Sequence, residues 1–184
     1  TADGYPTCFA EDDLRPMGRE AMGVRGIKLR EGDHVIGALP ALDGAQLLSI
    51  TENGFGKRTA VGEYLRGGEE AGPQKRGGMG LKSYNVTSKT GCVANVRMVR
   101  GEEDVLIVAD DGTIIRTNVS GISVLGRATQ GVRIMRPNEG AKVISAALTD
   151  PEEEDEEVPA APAEETTISA ENVENSAEDA KENE

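Results

Sequence analysis

The residues best placed to do chemistry are arginines and lysines held in a glycine-rich frame. Gly18-Arg19-Glu20-Ala21-Met22-Gly23-Val24, Lys75-Arg76-Gly77-Gly78-Met79-Gly80-Leu81 and Gly126-Arg127-Ala128-Thr129-Gln130-Gly131-Val132 all follow one pattern, Arg-x-x-x-Gly and then an apolar residue. The arginines are spaced by 57 and then 51 positions. A guanidinium presents a planar fork of donors that matches phosphate or carboxylate oxygens, and glycine lets backbone N–H groups come close to such oxygens. Three windows, 14–30, 75–89 and 116–136, hold 13 basic residues and one acidic residue, Glu20. The rest of the first 149 residues holds 6 basic and 17 acidic ones. A solvated surface mixes its signs, so this segregation suggests discrete basic loops suited to a phosphate backbone or an acidic protein partner.

Other chemistries fit poorly. Gly54-Phe55-Gly56-Lys57-Arg58-Thr59 has a lysine after a glycine, but a nucleotide-binding phosphate loop would need Gly at Thr51 and Ser or Thr at Arg58. Asp110-Asp111-Gly112 lacks the later ligands of a calcium loop and reads as a turn. The single histidine, His34, has no evident partner for acid–base or metal work. Cys8 and Cys92 make neither a disulfide framework nor a Cys-x-x-Cys pair and read as two unpaired thiols. Tyr5, Tyr64 and Tyr84 lie in repeat context and are expected to pack. No catalytic or metal site is expected, and no apolar run reaches the ~20 residues of a membrane-spanning helix.

The elements that must carry the basic loops are short strands. With 23 glycines, no Trp and 3% aromatic residues, the chain suits many strands and tight turns better than a helical bundle. Asp3-Gly4, Asn53-Gly54 and Asp111-Gly112 are hairpin-type turn dipeptides. Gly32, Gly91 and Gly140 each precede an apolar stretch, beginning at Val35, Val93 and Val143. Strands are expected at 47–51, 82–87, 92–99, 105–109, 113–119, 132–136 and 142–148, which are rich in Val, Ile and Thr. About three copies of a roughly 50-residue, four-stranded unit imply blades of a propeller-like array, too few to close a ring. The abrupt start at Thr1 reads as a fragment.

Charge divides the chain into two parts. Residues 150–184 carry 15 acidic residues and one basic, Lys181, for a net −14, while residues 1–149 carry +1. The sequence therefore implies a body over 1–149 and a disordered acidic tail over 150–184. Two readings of the tail stand: a segment that only aids solubility, or a polyanion that competes with nucleic acid for the basic loops.

Gly54-Phe55-Gly56-Lys57-Arg58-Thr59 with Glu63-Tyr64, and Gly112-Thr113-Ile114-Ile115-Arg116-Thr117 leading to residues 122–132, resemble the C-terminal domain of the bacterial DNA gyrase A subunit. The resemblance covers essentially all of 1–149. It implies an all-β fold, a β-pinwheel of propeller-like four-stranded blades, of which this chain would hold about three of six. It also implies a rim of Arg and Lys that wraps duplex DNA and supports ATP-dependent negative supercoiling by the whole enzyme. Gln74-Lys75-Arg76-Gly77-Gly78-Met79-Gly80 looks like the family's DNA-fastening box, degenerate because Met79 stands where a basic residue is usual. The cleavage tyrosine of such enzymes lies upstream, outside this chain, so the segment alone is expected to be non-catalytic.

On that resemblance the expected phosphate contacts are Arg19, Arg25, Lys28, Lys57, Arg58, Lys75, Arg76, Lys82, Arg116, Arg127 and Arg133. No cofactor is expected in this segment, ATP and magnesium being used by the whole complex. The implied partners are duplex DNA and, through regions outside this chain, a gyrase B subunit together with a second gyrase A subunit. The implied location is the bacterial cytoplasm at the nucleoid. Two alternatives remain at this point: the equivalent domain of topoisomerase IV, and a propeller used as a protein-binding scaffold.

Overall fold

The computed structural model describes residues 1–66 and 72–151. Thr1–Glu152 clusters as one compact unit. The expected acidic tail lies, from residue 152 on, outside the described residues.

Seven strands form: β1 (Gln46–Thr51), β2 (Phe55–Ala60), β3 (Val93–Val99), β4 (Asp104–Ala109), β5 (Ile114–Asn118), β6 (Val132–Arg133) and β7 (Val143–Thr149). They make a four-stranded sheet in the order β3-β1-β2-β6 and a three-stranded sheet in the order β5-β4-β7, with every neighbouring pair antiparallel. Each sheet grows from one hairpin. Gly54 and Gly112, both at positive φ, turn β1 into β2 and β4 into β5. The third strand then returns along the other side of the first, so that β1 pairs with β3 and β4 with β7. Both pairings carry an irregularity at their last residue, between Ile50 and Thr51 and between Val108 and Ala109, which marks the two sheets as copies of one unit.

The sheets share one core. Leu48 and Ile50 from β1, Val99 from β3, Val105, Ile107 and Ala109 from β4, and Val143 and Ala146 from β7 are all buried together, with Val119, Ile122 and Met135 closing the ends. Alternation along β4 points Val105, Ile107 and Ala109 inward, and the irregularity in the β4–β7 pairing brings Val143 and Ala146, three residues apart, to that same face.

The expected strands at 47–51, 92–99, 105–109, 113–119 and 142–148 all form, within two residues at each end. Residues 82–87 do not make a strand: Tyr84 contributes only an isolated bridge to Thr129. The strand expected at 132–136 shortens to Val132–Arg133. The strand not anticipated is β2, where Gly56 and Lys57 have low β-propensity but Phe55 to Thr59 are all buried. Sequence equivalence sets residues 3–10 against 53–60 and 111–118, and the short 3-10 turns Glu11–Asp13, Val61–Tyr64 and Val119–Gly121 follow at matching places. The first repeat contributes no regular strand among the described residues.

Successive repeats are joined by the basic loops. Loop 75–81 lies on the first repeat: Gln74 N–H donates to Cys8 O (2.8 Å), Leu81 N–H to Pro6 O (2.9 Å) and Ser83 N–H to Gly4 O (2.8 Å). Loop 124–133 lies on β2 in the same way, with Leu125 N–H donating to Arg58 O (2.8 Å), Gly56 paired to Val132 and Ile134 N–H donating to Gly54 O (2.9 Å). Both loops fit because one glycine meets a carbonyl: a Cβ on Gly80 would stand 2.6 Å from Pro6 O, and one on Gly131 2.6 Å from Gly56 O.

Ala128 is the one non-glycine residue at positive φ (58°) among the described residues, and it occupies the place of Gly77 (φ 80°) in the preceding loop. The docked loop imposes the left-handed conformation whatever the side chain. Ala128→Gly should therefore stabilise the chain by about 0.5–1 kcal/mol, read from urea denaturation midpoints. An unchanged or lowered midpoint would mean that Ala128 carries no strain.

Candidate nucleic-acid interface

Docking of loop 75–81 gathers basic residues that are far apart in sequence. Gly77 N–H donates to Gly26 O (2.8 Å) and Lys28 N–H to Gly78 O (2.8 Å), which brings residues 25–28 alongside 75–78. Arg76 Nη1 donates to Arg25 O (2.7 Å) and its Nε to Asp13 O (3.3 Å). Arg30 Nη1 donates to Met79 O (2.9 Å), and the guanidinium lies 3.3 Å from the centre of the Tyr5 ring. The side chains of Arg25, Lys28 and Lys75 are exposed. Five positive charges therefore share one surface, and only Arg76 and Arg30 are committed to positioning the loop.

The second loop makes a smaller cluster. Arg133 lies 4.5 Å and Lys89 5.5 Å from the centre of the Phe55 ring, so one buried aromatic carries two exposed cations. Lys82 is exposed, with Nζ donating to Asn85 Oδ1 (3.1 Å). Arg127 faces Glu63 at 3.8 Å. Arg116 pairs with Asp104 (2.8 Å) and donates through Nη2 to Asp150 O (2.8 Å). Arg19 is exposed in a stretch, 11–25, that is exposed throughout.

Two of the expected phosphate contacts are interior residues. Lys57 is fully buried, and its ammonium donates to Ser83 O (2.6 Å), Gly126 O (2.9 Å) and Thr129 Oγ1 (3.0 Å). Every donor it has is spent inside the protein. Arg58 is almost as buried; Nε donates to Ile122 O (2.7 Å) and Nη2 to Ser120 O (2.9 Å). Thr59 Oγ1 completes the row by donating to Leu125 O (2.8 Å). The Lys-Arg-Thr run thus rivets β2 to the following repeat and cannot reach DNA. Its position gave a hint, since Lys57 falls on the same face of β2 as Phe55 and Thr59.

The box glycines also differ from expectation. Gly77 N–H is already bonded to Gly26 O, so it joins repeats and is not free for a phosphate. Gln74 likewise holds the loop, its Nε2 donating to Tyr64 O (3.2 Å). Met79 is exposed at the tip, with Gly78 and Gly80 beside it partly buried. Arg30 and Lys89, absent from the expected set, close the two basic windows 14–30 and 75–89. The window counts were the signal that could have found them.

Burial acts on the titratable groups that join the loops to β2. Desolvation pulls the Lys57 ammonium from 10.5 down to about 8, opposed by the nearby Glu63 carboxylate. Burial pushes the hydroxyls of Tyr64 and Tyr84 up, with Ser83 Oγ at 2.6 Å partly offsetting this for Tyr64. Both tyrosines pack as expected, while Tyr5 lies half-buried under Arg30. Cys8 and Cys92 are free thiols.

A family model described as the DNA gyrase C-terminal domain, beta-propeller, matches residues 9–41, 45–99 and 103–150, one segment for each repeat. The chain belongs to the DNA gyrase C-terminal domain family. The DNA gyrase A subunit of Staphylococcus epidermidis is 44% identical over 149 residues, covering 79% of this chain and 16% of the relative. That of Staphylococcus aureus is 44% identical over 150 residues, covering 80% and 16%. The chain thus spans about a sixth of the length of these gyrase proteins. A solved gyrase A C-terminal domain superposes with a TM-score of 0.71 at 27% identity, over 80% of this chain and 48% of that one. The C-terminal domain of a topoisomerase IV reaches the same TM-score, 0.71, at 19% identity, over 81% and 45%, and so shares the fold. No helix among the described residues is long and apolar enough to cross a membrane.

Proposed function

We propose that this chain binds duplex DNA along its basic loops and bends it. In a complete gyrase this would support ATP-dependent negative supercoiling by a complex of two A and two B subunits. The observation that carries this reading is the gathering of Arg25, Lys28, Arg30, Lys75 and Arg76 on one surface by the docked loop. A cluster of exposed Arg and Lys side chains suits the sequence-independent phosphate backbone. Gyrase is favoured over topoisomerase IV by the 44% identity to gyrase relatives. ATP and magnesium belong, in this reading, to the whole complex, and the bacterial nucleoid is where it would act.

Fluorescence anisotropy with duplexes of unrelated sequence, measured over a range of salt, tests the proposal. Affinity should depend little on sequence, and log affinity should fall linearly with log salt, by a slope of about 0.9 per phosphate neutralised. A salt-independent affinity, or no binding at low salt, would leave the protein-scaffold reading in its place.

A further inference from the structure

Loop 75–81 carries one side chain of the wrong kind for a phosphate surface. Met79 is the one large apolar residue exposed in the window 75–89, a window without an acidic residue, and it is 46% exposed. A single exposed apolar residue is ordinary on a protein surface. Two features set this one apart, its neighbours and the rigidity of the backbone that presents it.

The neighbours are cations. Lys28 N–H donates to Gly78 O (2.8 Å), and Gly77 N–H to Gly26 O (2.8 Å), so Met79 stands beside the exposed Lys28 and close to the exposed Arg25 and Lys75.

The backbone is held at every residue from 77 to 81. Beyond the bonds of Gly77 and Gly78, Met79 O accepts from Arg30 Nη1 (2.9 Å), and that guanidinium is stacked 3.3 Å from the centre of the Tyr5 ring. Gly80, at φ 73°, is pressed so close to the first repeat that a Cβ would meet Pro6 O at 2.6 Å and Tyr5 O at 2.8 Å. Leu81 N–H donates to Pro6 O (2.9 Å). The loop therefore presents an unbranched, polarisable thioether on a fixed tip, with positive charge around it. In the second seated loop the equivalent residue is the polar, partly buried Gln130.

We propose that Met79 is a wedge that kinks the duplex, its side chain entering between two base pairs from the minor groove while Arg25, Lys28 and Lys75 hold phosphates on either side, an inference that rests on the DNA-binding reading above. Apolar wedges partly unstack a base step and bend DNA towards the major groove, and a thioether packs well on aromatic faces. The cost of unstacking is offset by the additional phosphate contacts that the bend brings to the basic loops.

The test compares the full chain with Met79→Gln and Met79→Leu, each shown by circular dichroism to fold as the wild type does. Affinity is measured for a fully paired duplex and for the same duplex with one central mismatch, and the bend is read by energy transfer between dyes on the two ends. A mismatch lowers the cost of unstacking, so the wild type should bind the mismatched duplex about five- to tenfold more tightly. In Met79→Gln that ratio should fall to within about twofold of unity, and the bend should be smaller. Met79→Leu should keep both. None of the variants changes a charge, so the salt slope should be the same in all three. Equal wild-type affinity for the two duplexes, a Gln variant with the wild-type ratio and bend, or a Leu variant that behaves like the Gln variant would overturn the wedge and leave DNA binding standing. A wild type that binds neither duplex at low salt would overturn both.

Discussion

Replacing Lys57 by Met should lower stability by roughly 2–4 kcal/mol, a larger loss than any exposed charge could give. Met keeps most of the lysine's volume, so the loss comes from three hydrogen bonds made by a buried ammonium. Two opposing effects set the size. Desolvation penalises the charge and pulls Lys57 down to about 8. Against it stand acceptors arranged for three donors, more than the two N–H groups of a neutral amine can fill. The loss is held to a few kcal/mol because two acceptors keep another donor: Ser83 O still receives Ala128 N–H and Gly126 O still receives Thr129 Oγ1. Urea denaturation of wild type and variant at pH 7 measures the difference. A loss under about 1 kcal/mol would mean that the rivet is idle.

The same lysine gives a pH signature. Its folded value lies below the 10.5 of the unfolded chain, so between about 8 and 10.5 the unfolded state holds the extra proton. Stability from this group therefore rises with pH across that window, by at most about 1.4 kcal/mol per unit, and is flat below it. Tyr64 and Tyr84 act the other way above pH 10, because burial raises them and the unfolded chain ionises first. Subtracting the Lys57→Met profile removes the tyrosines and should leave the rise. A difference that is flat from pH 8 to 10.5 would contradict the depressed ammonium.

The repeat was legible in the sequence because its markers are local: turn dipeptides, Arg-x-x-x-Gly frames and apolar runs each answer to nearby backbone geometry. What could not be read was which basic residues lie inside. Arg58 and Arg116 occupy the same place in successive repeats, yet Arg58 is buried under residues 120–125 and Arg116 is paired with Asp104 at a partly open edge. The difference comes from whether another repeat's loop lies over the strand, and that is set by partners 64 and 66 residues away. Charge counting treats both arginines alike. It also cannot tell a glycine that faces solvent from Gly77, whose N–H is spent on Gly26. The clusters themselves were half legible. The basic windows held the right residues, but the pairing of 25–28 with 75–78 is a tertiary contact between the end of one basic loop and the start of the next, segments that do not correspond in the repeat.

That pairing makes the triple variant Arg25→Gln, Lys28→Gln and Lys75→Gln the strongest expected loss of DNA affinity. All three side chains are exposed, and the joint is held instead by the backbone of residues 26, 28, 77 and 78 and by Arg76. Folding should survive, since exposed polar replacements of this kind stay within about 0.5 kcal/mol. If each charge neutralises one phosphate, the slope of log affinity against log salt should fall by about 2.7, and affinity at 0.1 M salt should drop several-hundred-fold by the same counterion relation, on the order of 500-fold. The loss should shrink towards nothing near 1 M salt, because released counterions then gain little entropy. Lys142→Gln is the matched control: it removes one exposed charge that already faces Glu52 at 3.2 Å, and it should change the slope little. Equal loss from the control and the triple variant would show that net charge alone matters and that the surface formed by loop 75–81 and residues 25–28 is no preferred site. An unchanged slope in the triple variant would place the phosphate contacts elsewhere, with the Lys89 and Arg133 pair over Phe55 the next to test.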